Sequence, residues 1–264
     1  MALAGAQGPL VFASALHIKQ EIRPSAAQQA FVLPILEEIV RRGANDAWQL
    51  GLSDSQLAQF ARYGALLAEW NATRLNLTRI TTLEGIAVKH FLDSLAVLHA
   101  ANIPRNANTI DVGTGAGLPG LALKIARPDL ALTLLDSTAK KLAFCRAVAD
   151  ELGFADVQIV HARAEDAGKW AEHAGRFDVA VARAVAPLDT LLPWLVPFVR
   201  PGGLVVALKS VHVDAELPAA RPVARRLGVA LSPPVSLFLP EADEPTERRI
   251  VLGVRGPVGK QTRT

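Results

Sequence analysis

The chain has 264 residues, half of them hydrophobic and 20% charged, with a formal net charge of +3. This is the composition of a globular protein long enough to bury a substantial core, and it excludes disordered, collagenous and disulfide-framework classes. The single cysteine, Cys145, excludes an internal disulfide and a cysteine-pair zinc site, and no apolar stretch suffices for a membrane span, the best candidate (191–199) being short and carrying Pro193 and Pro197.

A reducing, cytoplasmic location is expected. The mildly basic balance permits a nucleic-acid partner without demanding one. Residues 1–44 are alanine-rich and are read as an extension packed on, or trailing from, the body. Their apolar residues follow no positive charge, so a secretory signal is not expected. Within them Phe31–Val40 has helical character, interrupted by Pro34.

Residues 45–105 are expected to form a small helical cap. Ser53 and Gln56 make a capping box at the head of a helix reaching Trp70, with Leu57, Phe60, Gly64, Leu67 and Trp70 on one face. Thr81 and Glu84 predict the start of a second helix running to about Ala100, with Leu83, Ile86, Leu92 and Leu95 turned inward. His90 and Asp93 of that helix read as an ordinary surface or helix-supporting pair, and no metal site is expected.

Residues 106–264 alternate strand and helix, the pattern of a parallel sheet. Strands are predicted at 108–112, 130–135 (closing on Asp136), 157–160, 177–182 (ending at Arg183) and 204–208 (ending at Lys209). Helices are predicted at about 118–127 and 138–152, with a proline-punctuated one after Arg183. Two closing strands, 235–239 and 249–254, read as a hairpin.

The stretch Thr109–Gly120, TIDVGTGAGLPG, joins the first strand to the first helix of this region. Glycine tolerates positive φ and lets a ligand lie against bare backbone, and a strand–loop–helix unit places a nucleotide-like cofactor there. Gly115–Gly120 has the spacing of a phosphate-binding P-loop, but Leu121 and Ala122 replace the lysine and hydroxyl that hold phosphate and magnesium. Gly115, Gly117 and Gly120 also match the dinucleotide pattern. Against a pyrophosphate stands Asp111, a carboxylate at the lip of the loop that suits an amine or hydroxyl. These features favour S-adenosylmethionine, with its sulfonium and amino acid, over a dinucleotide.

The carboxyl ends of later strands extend the site. Asp136 is positioned to accept hydrogen bonds from ribose hydroxyls, or to cap the following helix; Ser137 and Thr138 continue that edge. Glu165 or the Ala164 backbone is positioned to meet an adenine. Arg183 and Lys209, cations closing adjacent apolar strands, point to an anionic substrate such as RNA. Cys145, mid-helix, is read as core rather than as a nucleophile. An Asp/Asn-Pro-Pro-aromatic turn is absent, the corresponding residues being 183–186, Arg-Ala-Val-Ala. An acceptor that needs no activation fits, and guanine N7 has its lone pair free at neutral pH.

The ordered set NLT (76–78), KHFLDSL (89–95), DVGTGAGLPG (111–120), LLDS (134–137), RAED (163–166), ARAVAPL (182–188) and PGG…ALKS (201–210) resembles the glucose-inhibited division protein B family, over about 52–254. That family comprises bacterial small-subunit rRNA guanine-N7 methyltransferases. The resemblance implies a class I methyltransferase fold, an α/β protein with a Rossmann-like, seven-stranded, mostly parallel sheet, a C-terminal antiparallel strand and a preceding helical cap. It implies S-adenosylmethionine as methyl donor and a guanine of 16S rRNA near the decoding region, in free rRNA, the 30S subunit or an assembly intermediate, as acceptor. By motif position it carries over Gly113, Leu118, Asp136, Ser137, Thr138, Ala164, Glu165 and Arg183 as cofactor contacts, beside Asp111 and Gly115 from the loop reading; Arg183 serves cofactor, RNA or both. Two alternatives stay open: a non-catalytic RNA-binding module, and an NAD-dependent oxidoreductase, which the position of the only tyrosine, Tyr63, in the cap argues against.

Overall fold

The computed structural model describes residues 26–183 and 185–257, with side chains from Leu33 onward. Residues 1–25, most of the expected N-terminal extension, lie outside the described residues, as does Ala184 of the ARAVAPL motif. Helix α1 (Ala26–Trp48) crosses position 44 without a break and buries Leu36, Val40, Ala44 and Trp48. Helix α2 (Asp54–Thr73) starts at the expected capping box, with Ser53 and Gln56 satisfying each other's backbone donors. The next helix begins one residue later than predicted. Thr82, not Thr81, accepts from the Gly85 N–H and opens α3 (Leu83–Ile86), which continues through a π-helical stretch (Ala87–Leu92) into α4 (Asp93–Ala100).

Five parallel strands follow: β1 (Asn108–Val112), β2 (Ala131–Asp136), β3 (Gln158–His161), β4 (Phe177–Arg183) and β5 (Val199–Ser210). They are joined by α5 (Gly120–Ala126), α6 (Ala139–Glu151), α7 (Ala164–Ala167) and α8 (Leu188–Leu195). Helix α9 (Val213–Arg226) leads to β6 (Val229–Leu231), β7 (Val235–Phe238) and β8 (Glu247–Arg255). The order across the sheet is β3-β2-β1-β4-β5-β8-β6, with β8 antiparallel to β5. β6 and β7 both pair with β8, at Gly253–Arg255 and Glu247–Ile250 respectively, so they form one outer strand interrupted at Pro233-Pro234.

Helix α9 and strand β6 were not predicted. Pro218 and Pro222 lie inside α9, and proline normally ends a helix by removing a donor and crowding the preceding turn. The helix survives with only Val213, Ala220 and Ala224 buried.

Alternation along the strands sends side chains to two cores. Leu132, Leu134, Val179, Val181, Val206 and Leu208 join α1–α6 on one face. Ile110, Val112, Ala180, Ala182, Val205 and Ala207 join α8 and α9 on the other. The apolar side chains of α1–α4 are continuous with the first core rather than a separate one. No helix among the described residues is long and apolar enough to cross a membrane.

Because β2 and β4 flank β1 on opposite sides, the chain reverses its winding at β1, and a crevice opens beyond the carboxyl ends of the strands.

Candidate functional site

The glycine loop after β1 is fixed from beneath by three side chains. Asp111 is fully buried; its Oδ2 accepts from the Gly120 N–H (2.8 Å) and the Thr114 hydroxyl (2.6 Å). Tyr63 of α2 donates to the carbonyl of Ala116, and the Cys145 thiol of α6 lies 3.4 Å from the carbonyl of Gly115. Gly117 has φ +85°, and a Cβ there would drive into Leu121 and come within 2.9 Å of the Tyr63 hydroxyl. Burial raises the Asp111 carboxyl to about 6 and pushes the Tyr63 phenol and Cys145 thiol well up, so both remain protonated. Cys145 is a core residue, as read from the sequence.

Asp111 therefore does not sit at the lip of the loop. It faces inward, lines no part of the crevice, and braces the loop; its Oδ1 is a buried oxygen with no partner among the described residues. This corrects the expectation that Asp111 meets a ligand. The reason is depth: Asp111 is in register with Leu134 and Val181 and shares their face with Asp136 and Arg183, but it lies two residues below those strand ends, beneath the loop that folds over it and bonds to it.

Above the loop lies a cleft of about 830 Å³, the size of a small-molecule site. It gathers Gly113, Gly115, Leu118, Asp136, Ser137, Thr138, Ala164, Glu165, Arg183 and Lys209, all of the remaining site residues expected from the sequence. Asp136 is buried at the tip of β2 and ties two elements together: Oδ2 accepts from the Gly115 N–H (2.9 Å) and Oδ1 from the Thr138 N–H (2.8 Å). Each oxygen keeps a lone pair for a further donor. Gly115 has φ +59°, and a Cβ on it would touch nothing closer than the Gly113 carbonyl at 4.0 Å, so bare backbone faces open space. A carboxylate with spare lone pairs beside an open glycine backbone fits a ribose diol. The residues present thus fit an adenosyl group.

The cations at β4 and β5 line the cleft but are not free. Arg183 Nη1 donates to Asp93 Oδ2 (3.1 Å) and to the Lys89 carbonyl (3.1 Å). Arg248 Nε takes the other oxygen of Asp93 (2.8 Å). Lys209 Nζ pairs with Glu216 Oε2 (2.8 Å) and donates to the Ala186 carbonyl (2.8 Å). A charge at a half-buried strand end requires a partner, and helices α4 and α9 supply one each. Lys89, Lys141 and Arg163 also line the cleft, with no carboxylate within 4 Å among the described residues.

His90 and Asp93 are not a surface pair. Both are buried in the helix that runs past the cleft. In the π-helical stretch the Asp93 N–H bonds to the Val88 and His90 carbonyls, and the Lys89 carbonyl between them serves Arg183 instead. His90 Nε2 lies 2.8 Å from Thr78 Oγ1, which also accepts from the Ile80 N–H, and Nδ1 lies 3.0 Å from the Lys89 carbonyl. The Lys89 carbonyl can only accept, which calls for the proton on Nδ1, whereas Arg183 Nη2, 3.4 Å from the same nitrogen, can only donate and calls for it on Nε2. Burial, and then the charge of Arg183, lower the His90 pKa to about 4, so the ring is neutral. Among the cleft residues that sequence reasoning missed are Thr78, Lys89, His90, Asp93, Lys141, Arg163, Glu216 and Arg248. For two of them a signal existed: His90 and Asp93 fall on the stripe of Ile86 and Val97, where an acid and an imidazole among apolar residues mark a buried polar contact.

A family model described as GidB, rRNA small subunit methyltransferase G, matches residues 56–234. The chain is 39% identical over 208 residues to the ribosomal RNA small subunit methyltransferase G of Alkaliphilus oremlandii, a match covering 79% of this chain and 86% of that relative. It is 46% identical over 183 residues to the protein of the same name from Roseiflexus sp., covering 69% of this chain and 77% of the relative. Among solved structures, a chain from the complex between the Haloferax volcanii Trm112 methyltransferase activator and a methyltransferase aligns with TM-score 0.55 and 14% identity, over 72% of this chain and 98% of that one. A Corynebacterium glutamicum protein aligns with TM-score 0.51 and 18% identity, over 85% and 99%. Such identities speak to the fold alone. The sheet order with its antiparallel β8 is that of the class I S-adenosylmethionine-dependent methyltransferases, as the sequence reading expected.

Proposed function

Since the chain belongs to the GidB family, rRNA small subunit methyltransferase G, we propose that it transfers a methyl group from S-adenosylmethionine to N7 of a guanine in 16S rRNA near the decoding region. The observation that carries the cofactor half of this reading is Asp136, whose two oxygens hold Gly115 and Thr138 while keeping lone pairs open to the cleft. When bound, S-adenosylmethionine supplies an electrophilic methyl on a cationic sulfur.

Asp136 accepts from the ribose hydroxyls. The backbone of Gly113, Gly115 and Leu118 borders the amino acid end, while Ser137, Thr138, Ala164 and Glu165 border the adenine. Arg183, held by Asp93, closes the cofactor half toward the acceptor. No side chain has to remove a proton, because N7 presents a free lone pair. The neutral, fully bonded His90 is consistent with that economy. Catalysis then rests on holding N7 in line with the methyl–sulfur bond, an effect of about 7–11 kcal/mol in well-oriented systems, and on a field that tolerates positive charge arriving on the purine. Lys89, Lys141 and Arg163 at the rim meet backbone phosphates. The substrate is 16S rRNA, the 30S subunit or an assembly intermediate, in the cytoplasm.

Mapping N7-methylguanine in 16S rRNA from cells with and without the protein tests the reading. One N7-methylguanine present only in the former is the expected result. An unchanged modification map overturns it.

A further inference from the structure

We infer that Lys209 and Glu216 form the element that reads the Watson–Crick edge of the target guanine. The inference rests on the guanine-N7 reading above and names the residues that select the base. The β1 and β2 ends hold the residues suited to the cofactor, so the acceptor half of the cleft lies over β4 and β5, where Lys209 closes its strand and Glu216 reaches in from α9.

The two side chains are locked to each other and to the loop before α8. Glu216 Oε2 accepts from Lys209 Nζ (2.8 Å) and from the Leu188 N–H (2.7 Å). Lys209 Nζ spends a second hydrogen on the Ala186 carbonyl (2.8 Å). That leaves Glu216 Oε1 with no partner among the described residues, and one ammonium hydrogen unassigned. Holding the loop uses one carboxylate oxygen; the other is surplus to it. The remaining acids of the cleft are less suited. Each oxygen of Asp93 is taken by an arginine, Asp136 lies on the cofactor side, and Glu165 is exposed at the β3 end.

The pair therefore offers a guanine one fixed acceptor beside one fixed donor. Guanine presents the complement, O6 as acceptor with N1–H and N2–H₂ as donors, whereas adenine presents a donor in place of O6 and an acceptor at N1. A site built to bond such groups rejects a base that leaves them unpaired. The carboxylate also favours the reaction itself. As N7 gains the methyl group the purine becomes cationic, N1–H and N2–H₂ become stronger donors, and their bond to Glu216 tightens toward the transition state.

Glu216→Gln isolates this role. The amide oxygen must occupy the Oε2 position to keep the Leu188 and Lys209 bonds, which turns the amide N–H₂ toward the cleft and converts acceptor into donor. The experiment uses 30S subunits reconstituted with 16S rRNA carrying guanosine or inosine at the methylated position; inosine lacks only the N2 amine. Wild-type kcat/KM is expected to fall roughly tenfold to a hundredfold on inosine, the weight of one hydrogen bond to a charged group. In E216Q the guanine-to-inosine ratio falls toward one, with S-adenosylhomocysteine binding unchanged. A ratio that stays at the wild-type value in E216Q, or a wild-type enzyme indifferent to inosine, overturns the inference. The second comparison needs no variant, so a misfolded mutant does not remove the test. If wild type methylates N7 of neither guanosine nor inosine at that position, the guanine-N7 reading itself has failed, which is a separate result.

Discussion

Tyr63 of α2 donates its phenolic hydrogen to the backbone carbonyl of Ala116, so a helix ahead of the sheet holds the glycine loop from below. The hydroxyl is fully buried, and burial keeps it protonated across the physiological range. Tyr63→Phe removes this one contact and leaves the ring against Phe91. Its expected cost is about 1–2 kcal/mol of unfolding free energy, the penalty of an unpaired buried carbonyl, with cofactor affinity falling about tenfold because the loop loses its brace. Urea unfolding and calorimetric titration with S-adenosylhomocysteine measure the two effects. Stability lost with affinity unchanged would show that the loop holds its shape without Tyr63.

Asp111 gives the fold an unusual pH dependence. Burial raises its carboxyl from 3.8 to about 6 despite the bonds from Thr114 and Gly120. The native state thus binds more protons than the unfolded chain between those values, and the associated stability, complete below 3.8, is lost as pH rises through about 6. A displacement of that size corresponds to at most about 3 kcal/mol at pH 7. Asp111→Asn removes the titration. The stability of the variant relative to wild type is expected to rise from pH 4 to 7 and then level off. His90 acts in the opposite sense, its pKa lowered from 6.5 to about 4 so that stability is lost as pH falls through that window. It is common to both proteins and cancels in the difference. A difference curve flat from pH 4 to 8 rejects this account.

Asp93 neutralises two arginines at once. With Asp93→Ala, Arg183 and Arg248 keep their charges at a half-buried position with no carboxylate, and a loss of about 3 kcal/mol is expected. Adding Arg183→Met removes one of the stranded charges, and part of that loss should return. A double variant no more stable than the single one would place the cost in packing instead of charge.

Asp136→Asn keeps the shape of the side chain but offers a single acceptor where two backbone donors now bond. The expected result is at least a tenfold weaker affinity for S-adenosylmethionine, with the unfolding free energy lowered by about 1 kcal/mol for the N–H left unpaired. Isothermal calorimetry on wild type and variant decides it. Equal affinities would remove Asp136 from the cofactor site.

Most of the parallel sheet could be read from the sequence because its strands are bounded by glycine, proline or a terminal charge, and the positions of Asp136 and Arg183 followed from strand ends alone. Asp111 was misplaced because the loop folds back over it: it shares a sheet face with Asp136 and Arg183 but lies below their strand ends, where Thr114 and Gly120 enclose it. The case against a pyrophosphate loses its carboxylate with Asp111, since Asp136 at the tip of β2 speaks for a ribose, which both cofactors carry. The counter-ions of Arg183 and Lys209 were not legible. Asp93 and Glu216 come from helices distant in the chain, and α9 was hidden by its own two prolines. Arg248 reaches the cleft only because β8 runs antiparallel, which places its first residues beside the last ones of β5.

The interruption at Pro233-Pro234 has a consequence for self-association. The outermost strand of this flank presents two successive residues without an amide hydrogen, between segments of three and four residues. A strand from a neighbouring molecule docking there would find no unbroken ladder to zip against, and short broken rims are how sheets resist stacking edge to edge into aggregates. The fold thereby carries a built-in guard against polymerising through its own sheet.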